Sequence, residues 1–472
     1  MTQQNLVTSG IGRVWIQPRG CNTPMLYAGC YGLGDVTIPE GDVTYVRCPS
    51  PSQANVWDIV GSVVGTPGNK TTSMQAPIDL VNYLLTIKCD FNFQFRMGEC
   101  SRPDDPAGWE SLLAFEGARI TNRGVQNLNP RDPANNNQIM TTADITFSEM
   151  YFVKEREFVA KTVTATSGAT MQDIHFCDAE VCAGACGTGS IGCQVGYVIT
   201  SGIAAGEEIW KTIDGGANWT ELTNPFTSIY DDLVAIDCID DVVILINGTS
   251  TSSIARSADG GTTWAIIDVG GAQIVNDIFI ADSANMWLVG DGGYVWYSSD
   301  GGLTWETQDA GVATSENLAE VFFYTTQKGI AVGAAGAIIR TIDGGVTWTA
   351  VTSGTANALN TVCMSSELIA WVGGASGTLL YTMDGGLTWT AKTWPGAATD
   401  TINAITFCGC EFGFFGSTTI GTLGKLYTTL DGGYTYRLET LPTNLGINAI
   451  HCCDPNTVYL ATNGDGKILK TT

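Results

Sequence analysis

One eight-residue phrase, S/T-x-D-G-G-x-T/N-W/Y, recurs six times between residues 212 and 436, as TIDGGANW, SADGGTTW, SSDGGLTW, TIDGGVTW, TMDGGLTW and TLDGGYTY. Its aspartates, Asp214, Asp259, Asp300, Asp343, Asp384 and Asp431, are 41 to 47 residues apart. That period suits one four-stranded blade of a β-propeller. A short Asp side chain can accept bonds from backbone N–H groups just ahead of it and close a tight turn. The second glycines, Gly216, Gly261, Gly302, Gly345, Gly386 and Gly433, supply the left-handed backbone that such a turn needs. The aromatics Trp219, Trp264, Trp305, Trp348, Trp389 and Tyr436 then open the next strand, where burial between blades is expected. The phrase therefore predicts turns and no catalytic group.

Upstream of each phrase lie three strand-like runs, as in NDIFIADSANMWLVG (276–290) followed by GYVWYSS. β-Branched and alternating residues between regular turn signals favour antiparallel sheet. The chain ends on a third strand, GKILKTT, with no fourth strand after it. Residues 158–166 read as a fourth strand with no phrase before them. Pairing of Val159–Thr166 with Lys467–Thr472 would complete a seventh blade and leave no open edge between the ends. The expectation is an all-β chain, with a seven-bladed propeller over 158–472 after an N-terminal domain over 1–157.

Composition narrows the function. Net charge is −25, and residues 158–472 carry 10 basic against 31 acidic side chains. Such a surface repels nucleic-acid backbones and anionic lipid, so nucleic-acid contact by the propeller is not expected. No run of 18 uncharged apolar residues occurs, so no membrane insertion is expected, and the first residues lack the pattern of a secretory signal. Of 15 cysteines, Cys177, Cys182, Cys186 and Cys193 crowd together. They are candidates for disulfides; buried thiols or a zinc site are the other chemistries that this spacing leaves open. No cofactor or metal is expected.

At the start of the inner strands one repeat position holds an amide in five blades: Gln172, Asn276, Asn360, Asn403 and Asn448. The next position holds Asp173, Asp277 and Glu320. These groups would either face a central channel and hold a polar ligand or bond backbone between blades, and the second is the simpler expectation. His175 and His451 are repeat equivalents on blades one and seven, expected as a packed pair rather than as metal ligands.

The six phrases resemble the Asp-box (BNR) repeats of sialidase-type propellers. More closely, GAIIRTIDGGVTW (336–348) is similar to the photosystem II assembly-factor-like propellers. The resemblance covers about 158–472 and implies the fold, whereas Asp boxes occur in enzymes, assembly factors and binding proteins alike. Sialidases need three arginines converging on a carboxylate. Here only Arg256, Arg340 and Arg437 are available, and the first two hold one repeat position on non-adjacent blades, pointing apart. Glu207 and Glu208 carry no mark of a glycosidase pair. No enzymatic activity is expected.

In the first 157 residues, strands are expected over 42–48, 91–97, 118–125 and 143–153, a short helix over 104–117 and a polar loop over 127–138. RGCNTPMLYAGC, CSRPDDPAGWESLLAFEGARITN and TFSEMYFVKEREF resemble tailed-phage virion proteins of the tail-tube type. That likeness implies a β-sandwich-like domain that self-assembles by edge pairing into a homo-oligomer. It further implies a structural protein located in the virion, on the tail or particle surface, whose propeller decorates the particle or touches a host-surface glycan or protein. The alternative is a cellular assembly factor or a carbohydrate- or protein-binding propeller, with a glycosidase as the third reading.

Overall fold

A computed structural model describes the strands of residues 1–157 as backbone. With side chains it describes residues 158–163, 169–177, 193–201, 208–226, 233–240, 242–244, 252–308, 313–408, 412–418, 424–429, 432–433, 436–454, 457–464 and 466–471. The chain divides into two compact units, Met1–Glu155 and Arg156–Thr472. No helix among the described residues is long and apolar enough to cross a membrane.

In the first unit, seven strands pair in the order Phe91–Met97, Gly10–Pro18, Leu26–Thr37, Lys70–Pro77, Met140–Phe147, Ser111–Gly124 and Glu149–Val153. The first of these also pairs with Ser111–Gly124, so the ladder returns on itself. The helix expected over 104–117 needs correction, because its second half lies in that strand. Leu112, Leu113, Ala114 and Phe115 pair with Arg96, Phe95, Gln94 and Phe93, and a neighbouring strand outcompetes an isolated helical turn for the backbone bonds. The loop over 127–138 falls outside the described residues.

The second unit is a seven-bladed β-propeller. Each blade is a four-stranded antiparallel sheet. The inner strands are Thr170–Phe176, Leu233–Ile239, Val275–Ile280, Leu318–Thr325, Leu359–Met364, Asp400–Cys408 and Ile447–Asp454, neighbours in cyclic order with the seventh against the first. In six blades the four strands are consecutive in sequence. In the seventh, Lys467–Thr471 pairs on its outer side with Phe158–Thr162, running from Phe158 opposite Thr471 to Thr162 opposite Lys467.

The core lies between blades. Trp287, Val289 and Val295 of blade three pack on Val321, Phe323, Ala331 and Ile339 of blade four, with Trp287 stacked on Phe323 at 3.8 Å. Burial of side chains of this size contributes roughly 1.5–3 kcal/mol each, so face-to-face blade packing is the main source of stability.

The repeated phrase forms the turn between third and fourth strands. In blade one the Thr212 hydroxyl donates to Asp214 Oδ1 at 2.9 Å, and Asn218 donates to the same carboxylate through its backbone N–H at 2.8 Å and its amide at 2.7 Å. Asp259, Asp300, Asp343 and Asp384 repeat this with Thr263, Thr304, Thr347 and Thr388 as donors. Asp431 lies outside the described residues, while Gly433 N–H still donates to Thr429 Oγ1 at 2.8 Å. Gly433 has φ +85°, and a Cβ there would meet the buried Trp371 ring at 2.3 Å. Gly433→Ala is expected to cost about 2–5 kcal/mol by urea denaturation, from left-handed strain plus overpacking. Gly464→Ala, at φ +79° with open space around it, should cost only about 1–2 kcal/mol.

Candidate functional site

The inner strands surround a central cavity of about 1150 Å³. Every inner strand carries one extra residue near its start, at positions 172, 234, 276, 319, 360, 403 and 448, where its ladder to the second strand skips. A bulge re-aims the side chain it carries. The five amides found in the sequence occupy five of these bulges, and all line the cavity.

Four of those amides tie one blade to the next. Asn276 Nδ2 donates to Leu318 O at 2.8 Å, Asn360 to Ile402 O at 3.4 Å, Asn403 to Ile447 O at 3.1 Å and Asn448 to Met171 O at 2.9 Å. The last joins blade seven to blade one. Gln172 instead accepts from Ser201 of its own blade. The acidic residues one position later work in the opposite sense. Asp173 accepts from Ile236 N at 3.0 Å, Asp277 from Val321 N at 2.9 Å and Glu320 from Val362 N at 2.9 Å. These groups line the channel, and their bonds hold the blades together.

Asp237, which the repeat pattern does not single out, shares the repeat position of His175 and His451. It is 6% exposed, accepts from Ile280 N at 2.8 Å and stands 3.0 Å from His175 Nε2. His175 in turn lies edge-on to His451, with ring centroids 4.8 Å apart. The three form a row across blades seven, one and two. Burial pushes the carboxyls up, Asp237 to about 7 and Glu320 to about 8. Asp173 and Asp277 move the same way, with Glu320 adding repulsion at Asp277. Burial also pushes both imidazoles down, His175 to about 4.

At the far end of the inner strands, three disulfides among the described residues link neighbouring blades. Cys408–Cys452 joins blades six and seven, Cys193–Cys453 blades one and seven, and Cys177–Cys238 blades one and two. Of the four clustered cysteines, Cys177 and Cys193 thus pair with partners 61 and 260 residues away. Cys182 and Cys186 fall outside the described residues. Among the described residues, one group of His, Cys and acidic side chains has metal-binding proximity: Cys193, His451 and Cys453.

The three arginines do not form a carboxylate clamp. Arg256 Nε donates to Gly301 O at 2.6 Å and Arg340 Nε to Gly385 O at 2.9 Å, each reaching the Asp-box turn of the next blade. Lys211 and Lys470 do the same to Gly260 and Gly215. Arg437 stands 3.9 Å from Glu439. Glu208 accepts from Trp210 Nε1 at 3.0 Å, and Glu207 is outside the described residues.

Outside the channel, six of the eight large exposed apolar side chains among the described residues lie on box turns, Ile213 of blade one at 71% exposed and five more on blades three to five, while Ile266 and Leu438 lie on fourth strands. Leu303 is 57% exposed, Ile342 57%, Val346 78%, Met383 45% and Leu387 58%, all on turns of the consecutive blades three, four and five. The turn chemistry does not demand them, since blade two has Ala258 and Thr262 at the same positions.

Against known families, residues 267–342 match the family described as photosynthesis system II assembly factor YCF48. This segment is similar to the BNR repeats of that family. Two solved structures are similar over the propeller's size. A YCF48 bound to D1 peptide is 14% identical, with a TM-score of 0.51 over 67% of this chain and 97% of that one. YCF48 from Cyanidioschyzon merolae is 17% identical, with a TM-score of 0.50 over 66% and 98%. No curated protein matches the sequence. The YCF48-like likeness is one of fold.

Proposed function

We propose that this chain is a non-catalytic binding propeller of the assembly-factor type, which captures a partner protein through an extended apolar segment. The observation that carries this reading is the run of exposed apolar side chains on the turns of blades three to five. Large apolar side chains exposed on the turns of neighbouring blades, where the fold does not require them, suit an interaction site. The propeller's excess of acidic residues suits a segment whose apolar anchors are flanked by Lys or Arg. The YCF48-like segment and the YCF48 complex with a D1 peptide support a protein partner. These likenesses favour this reading over the virion subunit that the N-terminal phrases imply, for which they offer no support.

A ring that presents such a surface must stay closed. We read the pairing of Phe158–Thr162 with Lys467–Thr471 as its seam; residues 164–166 of the expected 159–166 strand lie outside the described residues.

An array of immobilised peptides with paired apolar anchors and basic flanks tests the binding reading. Selected peptides should bind the full chain with micromolar or tighter affinity by fluorescence polarisation. The combined variant Leu303→Ser, Val346→Ser and Leu387→Ser should weaken binding at least about tenfold with its melting temperature unchanged, as expected for exposed sites. Unchanged affinity in that variant would remove these turns from the binding surface.

A further inference from the structure

We infer that Cys193, Cys453 and His451 form a metal-binding clasp across the seam, holding Zn²⁺ when the Cys193–Cys453 disulfide is reduced. The two sulfurs and one imidazole nitrogen lie within 4.8 Å of one another. Cys193 sits just before the second strand of blade one and Cys453 near the end of the inner strand of blade seven. A shared metal would therefore bridge the same two blades that the disulfide bridges.

His451 supplies the second, independent observation. It is 5% exposed, and its Nε2 is buried with no hydrogen-bond partner among the described residues. A buried polar atom without a partner is costly and calls for a reason. A disulfide alone gives that nitrogen nothing to bond. A metal held by the two adjacent sulfurs would give the imidazole of His451 a coordinate bond. Two thiolates and an imidazole are a borderline-soft donor set that suits Zn²⁺, with water completing the tetrahedron.

The chemistry balances with a dithiol as reductant. The dithiol's two thiols pass two electrons and two protons to the protein disulfide, giving two cysteine thiols and a cyclic disulfide. Zn²⁺ then displaces one proton from each thiol and takes the lone pair of His451. Cys408–Cys452 and Cys177–Cys238 are not part of a metal-binding group among the described residues, so one metal is expected for the described residues.

The test uses the full chain, reduced with a phosphine and freed of reductant anaerobically, then titrated with Co²⁺ as an optical probe for the zinc site. One equivalent of His451-dependent Co²⁺ binding is expected, with thiolate-to-cobalt charge transfer and strong tetrahedral d–d bands displaced by Zn²⁺. The oxidised chain should show neither. His451→Gln and Cys453→Ser should weaken Co²⁺ binding at least about tenfold, and Cys408→Ser should leave it unchanged. Melting of the oxidised His451→Gln chain shows whether that variant is folded, and Cys453→Ser gives a second reading of the same site. Absence of Co²⁺ binding by the reduced wild type, or equal binding by both variants, overturns the clasp.

Discussion

Removal of residues 467–472 is expected to abolish cooperative unfolding of the propeller at ordinary temperatures. Ile468 and Leu469 are both fully buried, so their loss forfeits about 1.5–3 kcal/mol each in transfer alone, with a cavity cost added. Phe158, 4% exposed, loses the strand it pairs with. Lys470 and the Gly215 carbonyl lose their 2.7 Å bond between blades seven and one. The sum approaches the roughly 5–15 kcal/mol by which a typical domain is stable. Near-ultraviolet circular dichroism and limited proteolysis of the truncated chain would show loss of fixed packing. A circular permutant that joins Thr471 to Phe158 through a short turn and opens the ring in a surface loop should restore the melt, because the strand pairing survives. A truncated chain that melts like the full one would show that the ring does not depend on this strand.

The second large effect concerns pH. Stability of the oxidised, metal-free propeller is expected to peak at about pH 4–5 and to decline toward pH 8. Glu320 is held up to about 8 and Asp237 to about 7, and Asp173 and Asp277 move in the same direction. A carboxyl raised in the fold keeps its proton after the unfolded chain has lost its own. The unfolded state then binds fewer protons, and stability falls as pH rises from the unfolded value through the folded one. The imidazoles of His175 and His451 are lowered, so they act in the opposite sense between about pH 4 and 6.5 and offset part of the fall. Above that window nothing offsets it, and the steep part of the decline lies between about 6.5 and 8.

On the acid side, Asp214, Asp259 and Asp300 are held down to about 2 by the Asn218, Thr263 and Thr304 side chains and backbone amides. Their contribution is present above about pH 4 and is lost as pH falls toward 2. Glu320→Gln retains an acceptor for Val362 N–H and removes the titration. It should raise stability at pH 8 by an amount on the order of a few kcal/mol, since each tenfold change in proton affinity between fold and unfolded chain is worth about 1.4 kcal/mol, and leave pH 5 nearly unchanged. Urea denaturation of both proteins at the two pH values decides the matter. Parallel profiles would show that Glu320 is ionised in the fold.

The box turns were legible because their bonds are local. Thr212, Asp214, Gly216 and Asn218 satisfy one another within seven residues, so the phrase alone carries the turn. The inner-strand amides were visible as a repeated position, yet their partners were not. Asn276 bonds Leu318, 42 residues on, and Asn448 bonds Met171, 277 residues back. Asp237 was overlooked because its counterparts in the repeat are His175, Phe279, Phe322, Cys363, Thr406 and His451, and a column of unlike residues gives no signal until the blades are placed side by side. The helix expected over 104–117 failed for a related reason, since the partner strand that claims Ser111–Gly124 is absent from any local window.

By itself the amino-acid sequence determined the blade period, the turn chemistry and the acidic character of the propeller, because each depends on neighbours along the chain or on a plain sum of charges. Only the tertiary structure decided which cysteines meet, which amide reaches which blade, and that Asp237 lies against His175. Those outcomes depend on distant segments becoming neighbours in the ring and on the low dielectric that their packing creates, and neither exists in an extended chain.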